Sequence, residues 1–91
     1  MVTAFILIKA GREHIAQAAQ DILKIPGIAE VYSVAGDYDI VAVARVRKND
    51  ELAKLVTDDL VQVQGILETN TMIAFRQFSN FDLERLFALG E

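Results

Sequence analysis

Ninety-one residues with a mass of 10.1 kDa make one small domain, because a second independent core would leave each half too short to bury enough surface. Hydrophobic residues make up 53% of the chain and charged ones 24%, with one proline and five glycines, which excludes disordered, collagen-like and low-complexity classes. Nine Lys and Arg against thirteen Asp and Glu give a net charge of −4 and a pI near 4.9, which opposes direct binding to a phosphate backbone; zero cysteines and one histidine remove disulfide scaffolds, thiol nucleophiles, Cys-type zinc sites and two-histidine metal clusters.

Residues 2–9 are β-rich and apolar on both alternating faces, the pattern of a strand covered on both sides. After Gly11, apolar positions at Ile15, Ala18, Ala19, Ile22 and Leu23 follow the spacing of an amphipathic helix, which Pro26 and Gly27 stop. Residues 28–35 read as a second strand. The segment Gly36-Asp37-Tyr38-Asp39 turns the chain into a third, from about Tyr38 to Val46. Asn49, followed by Asp50 and Glu51, supplies a helix cap and first-turn acids, and Leu52, Leu55, Val56, Leu60 and Val63 continue with helical spacing until Gly65. A fourth strand is predicted from about Ile66 to Phe78. Ser79 or Asn80 can then cap a short terminal helix carrying Leu83, Leu86 and Phe87.

An internal repeat supports this order independently of propensity. The segment from Asp21 to Glu30 aligns with that from Asp59 to Glu68, and the same shift places Lys9 on Arg47 and Glu13 on Glu51. Two βαβ units joined by a hairpin predict an α+β, ferredoxin-like βαββαβ sandwich: a four-stranded antiparallel sheet with two helices on one face. Two helices cover one face only, yet the first strand offers Phe5 and Leu7 on its other side and the third offers Val41 and Val43. At about 25 cal/mol per Å² of apolar area, a wet face of that kind is costly, so a homodimer packed sheet to sheet is expected.

In the order βαββαβ, the residues Pro26-Gly27-Ile28, the hairpin from Val34 to Ile40 and the late strand Glu68-Thr69-Asn70-Thr71-Met72-Ile73 resemble the effector-binding (RAM) domain of the Lrp/AsnC transcriptional regulators. The resemblance covers nearly the whole chain. Full-length members carry an N-terminal helix-turn-helix domain, whereas the first strand here starts at Val2, so a stand-alone form without that domain is expected. The resemblance implies dimers that can assemble into rings of dimers, a small-molecule effector, typically an amino acid, held between dimers near the hairpin, and partnership with full-length Lrp/AsnC regulators. It places Gly36, Asp37, Tyr38 and Asp39 at that effector site, with Thr69, Asn70 and Thr71 as further contributors. Backbone N–H groups around Gly36 suit a carboxylate, and Asp37 or Asp39 suits an ammonium. The alternative reading is that Gly36 allows a positive φ, the two aspartates cap the turn and Tyr38 packs on a neighbouring strand.

The same sandwich hosts small dimeric oxygenases and isomerases, so an enzyme of that type is the rival function. It lacks good candidates, since His14 stands at a helix start as an ordinary surface or half-buried histidine and Asn70 lies on a strand. A third reading is a module that only lends dimerisation to other regulators. Arg45, Arg47 and Lys48 form a short basic cluster, read as solubilising a strand end. No cofactor and no metal are expected. The apolar runs Ala4–Ile8 and Ile40–Ala44 fall far short of the roughly 18 residues of a membrane span, and with no signal-peptide pattern a cytoplasmic location is expected.

Overall fold

The computed structural model describes residues 1–80, and the expected terminal helix with Leu83, Leu86 and Phe87 lies outside them. The elements are β1 (Val2–Ala10), a 3-10 turn at Arg12–His14, α1 (Ile15–Leu23), β2 (Ile28–Ser33), β3 (Ile40–Val46), α2 (Asn49–Lys54) and β4 (Ile66–Ile73). Between α2 and β4 the helix runs on as a π-helical stretch, Leu55–Asp59, and a 3-10 turn, Leu60–Gln62. The strands form one antiparallel sheet in the order β2-β3-β1-β4, the expected ferredoxin-like topology. No helix of the described residues is long and apolar enough to cross a membrane.

Alternation along the central strands sorts the residues. Ala4, Ile6 and Ile8 of β1 stand opposite Ala44, Ala42 and Ile40 of β3, and all six are fully buried beneath the helices. Ala18 and Ile22 of α1, with Leu52, Leu55 and Leu60 after β3, close the core from above. Burying each such Leu or Ile side chain contributes on the order of 1.5–3 kcal/mol, enough for a core of this size to hold one sheet and two helices. The small alanines of β1 and β3 leave room for the larger side chains of the helices to seat against the sheet.

Two glycines set the helix exits. Gly27 has φ +99° and Gly65 has φ +95°, equivalent positions of the sequence repeat, and a Cβ on Gly65 would stand 2.5 Å from the His14 Cβ. His14 is thus packed against the exit of the second helical segment. The ends of the strands differ from the sequence reading. β4 stops at Ile73 rather than continuing to Phe78, because its neighbour β1 begins at Val2 and, after the bond from the Ala74 N–H to the Thr3 carbonyl, offers no further ladder. β2 stops at Ser33 and β3 starts at Ile40, two residues later than expected, because Val34 and Asp39 close the loop on each other.

Candidate functional site

Three hydrogen bonds fix the loop of the β2–β3 hairpin and tie it to β1. The Val34 N–H donates to the Asp39 carbonyl at 2.9 Å and closes the loop; the Asp39 N–H donates to the Ile8 carbonyl at 2.9 Å and ties the loop to β1. At the same corner the β1–β4 register slips between Lys9 and Ala10, and the Ala10 N–H turns to the Asp39 carboxylate at 3.0 Å. Asp39 is therefore a structural clamp with one carboxylate oxygen already engaged. Gly36 carries φ +136° with open space around it, so the turn needs a glycine for its backbone angle and not for packing.

What the hairpin offers to a ligand lies beyond the clamp. The backbone N–H groups of residues 35–38 donate no hydrogen bond among the described residues, and the exposed Asp37 carboxylate has no partner there either. Tyr38 leans back over the sheet, with the Lys9 ammonium 5.5 Å from its ring centroid and its hydroxyl accepting from the Asn70 amide at 3.4 Å. Lys9 in turn pairs with Glu68 at 3.7 Å. The corner thus gathers free backbone donors, one free carboxylate, an aromatic face, an amide and a cation. Such a set can meet both charges of a small zwitterion.

The sequence candidates divide here. Gly36, Asp37, Tyr38, Asp39 and Asn70 come together at this corner. Thr69 and Thr71 do not: they pair with Ile8 and Ile6, whose side chains enter the core, and so face the helices, where Thr71 lines an apolar recess with Leu52 and Val56. Sequence reasoning missed Lys9 and Glu68. Both lie on the same face as Asn70, and the two-residue period of a strand was the available signal.

Among known proteins, the family model of the Lrp/AsnC ligand binding domain matches residues 3–82. The chain belongs to this Lrp/AsnC family. An HTH-type transcriptional regulator of Pyrococcus abyssi is 37% identical over 76 residues, which are 80% of this chain and 51% of that protein. The chain spans about half the length of the curated relatives it matches. The crystal structure of TTHA0845 from Thermus thermophilus superposes with a TM-score of 0.82 at 38% identity, over 88% of this chain and all of that one. NMB0573 of Neisseria meningitidis, solved as an L-Met complex, shares the fold at a TM-score of 0.76 and 16% identity, over 87% of this chain and 53% of that one. The Lrp/AsnC family consists of transcriptional regulators, not enzymes, so the dimeric-enzyme alternative is set aside.

Proposed function

We propose that this chain is a small-molecule sensing and oligomerisation module of the Lrp/AsnC family, with an amino acid as its effector, and that it acts on transcription by assembling with other regulators rather than by binding DNA itself. The observation that carries the reading is the hairpin corner, where the Asp37 carboxylate and the N–H groups of residues 35–38 stand side by side with no partner among the described residues. The effector's carboxylate meets those N–H groups and its ammonium meets Asp37. Asp39 is the weaker ammonium partner, since the Ala10 N–H already occupies one of its oxygens. Tyr38 and Asn70 border the same space, and Lys9 with Glu68 sets its charge. L-Met in the distantly similar NMB0573 supports an amino acid as the class of ligand.

The net charge of −4 supports indirect action at DNA, reached through mixed assembly with a full-length Lrp/AsnC regulator. Assembly and sensing are linked if the hairpin corners of neighbouring dimers face each other, because a ligand that fits only the assembled form favours it by its differential affinity.

Calorimetric titration with the common L-amino acids tests the site. Asp37→Asn is expected to keep the fold and lose about 1.5–3 kcal/mol of binding, roughly ten- to a hundredfold, as for a hydrogen bond to a charged group. Asp39→Asn is expected to act mainly on stability, read by urea denaturation. Equal binding by wild type and Asp37→Asn would move the site elsewhere, and no binding by wild type would leave a dimerisation-only module.

A further inference from the structure

At the end of the sheet away from the hairpin, a half-open recess of about 380 Å³ lies between the end of β3, the Pro26-Gly27 turn and α2. It is separated from the hairpin corner by the length of β3, about 20 Å at roughly 3.3 Å per residue. Its floor is backbone and aliphatic: Gly27 presses so close to Val46 that a Cβ would stand 2.8 Å from the Val46 Cγ1. Its walls carry charge of both signs, from Arg45, Arg47, Glu51, Lys54 and Asp59.

The pairing of those charges is uneven. Arg45 is held by Glu30 on the neighbouring strand at 3.3 Å. Lys54 is held by Asp59 at 3.4 Å, a contact five residues apart that the π-helical stretch creates; regular α geometry would have offered Lys54 the exposed Asp58 instead. The side chains of Arg47 and Glu51 hold no partner among the described residues. One free guanidinium and one free carboxylate therefore share a recess whose other side-chain charges are already matched. Its volume is in the range of small-ligand pockets, about 300–1,000 Å³.

The geometry points to a second site, within a single subunit, for a small zwitterion: Arg47 takes its carboxylate through the guanidinium fork and Glu51 takes its ammonium. A free amino acid and the smallest peptides carry this chemistry. A phosphate fits it poorly, because two carboxylates line the same recess. The site stands independently of the hairpin reading, and either can fail without the other.

Wild type, Asp37→Asn, and Asp37→Asn chains that also carry Arg47→Gln or Glu51→Gln are titrated calorimetrically, at matched chain concentration, with each common L-amino acid, with diglycine and with inorganic phosphate. With the hairpin event removed or weakened by Asp37→Asn, the expected result is one saturable event per chain remaining in that background, which the added Arg47→Gln or Glu51→Gln weakens about tenfold or more. Response to amino acids but not diglycine, or the reverse, identifies which zwitterion is taken. Arg47 and Glu51 are exposed, so circular dichroism is expected to show all variants folded; Arg47→Lys, which keeps the charge and loses the fork, is expected to bind at an intermediate level. Binding in the Asp37→Asn background that the added Arg47→Gln leaves unchanged, the absence of any event in Asp37→Asn, or a response to phosphate alone would each overturn the inference.

Discussion

Asp37 and Asp39 stand two residues apart on one hairpin, yet the Ala10 N–H claims only Asp39, and that single bond at 3.0 Å separates a clamp from a carboxylate with no partner among the described residues. A second carboxylate shows the same dependence on its donors. Glu30 on β2 accepts from the Tyr32 hydroxyl and from Arg45, and these two, the tyrosine first, hold its carboxyl below the ordinary value of 4.5. Reciprocally, the bond to Glu30 raises the Tyr32 hydroxyl above its ordinary 10.0. The signs define a window. Glu30, with a lowered folded value, contributes stability above 4.5 that is lost as pH falls through that lowered value; Tyr32, with a raised one, contributes below 10.0 and loses it as pH rises through the raised value. All three groups are exposed, so the effect on stability is small and the direct observable is the tyrosine itself. In a Tyr38→Phe background Tyr32 is the sole tyrosine, and its absorbance titration is expected to move down toward 10.0 when Glu30 is replaced by Gln. An unmoved midpoint would mean that the Tyr32–Glu30 bond does not form in solution.

At the scale of elements, the spacing of apolar residues explains where regular geometry gives way. Leu52, Leu55 and Leu60 all reach the core, at 4%, 1% and 1% exposure, and the step of five from Leu55 to Leu60 is about one residue more than an α-helical turn brings round. The π-helical stretch Leu55–Asp59 absorbs that extra residue. Helical spacing from Leu52 to Val63 was legible in the sequence, but the change of hydrogen-bond register was not, because Val56 and Leu60 also satisfy the α period and only packing against the sheet decides. Strand order and the hairpin were legible from the repeat and the turn residues. The division of Thr69-Asn70-Thr71 between two faces was legible too, since adjacent strand residues point opposite ways; treating the three as one group overlooked it. The clamp role of Asp39 was not, for it depends on a register slip between Lys9 and Ala10 that no local pattern marks. Neighbouring substitutions test the π-helical register. Leu60→Ala is expected to destabilise the domain by about 2–5 kcal/mol, and Val61→Ala, at a side chain 65% exposed, to stay within about 0.5 kcal/mol, both by urea denaturation. Equal costs at the two positions would place Leu60 outside the core.

The molecule as a whole is one-sided. Helices cover one face of the sheet, and on the other Phe5 and Met72 remain 39% and 48% exposed beside the half-buried Leu7 and Val41. Two charged pairs edge this apolar stripe: Lys9 with Glu68 toward the hairpin, and Arg45 with Glu30 at the far end of β3. An apolar centre with a polar border is the composition of a protein interface, and a second copy presenting the same face satisfies it through a closed two-fold. The choice of residue decides whether this can be tested cleanly. Val43 faces the same way but is only 5% exposed within the single chain, so an aspartate there would attack the fold itself. Leu7 is half-buried and stands between Val41 and Asn70, where an aspartate can still reach water in the isolated subunit and would be buried without a partner only in the dimer. Leu7→Asp is therefore expected to sediment as a monomer with native circular dichroism at micromolar concentration, where wild type sediments as a dimer or a multiple of it. Lys9→Gln, which removes only a border charge, is expected to leave the dimer intact, since exposed ion pairs contribute about 0–1 kcal/mol. A wild-type monomer, or a Leu7→Asp chain with the wild-type mass, would show that the open face is not the contact between copies.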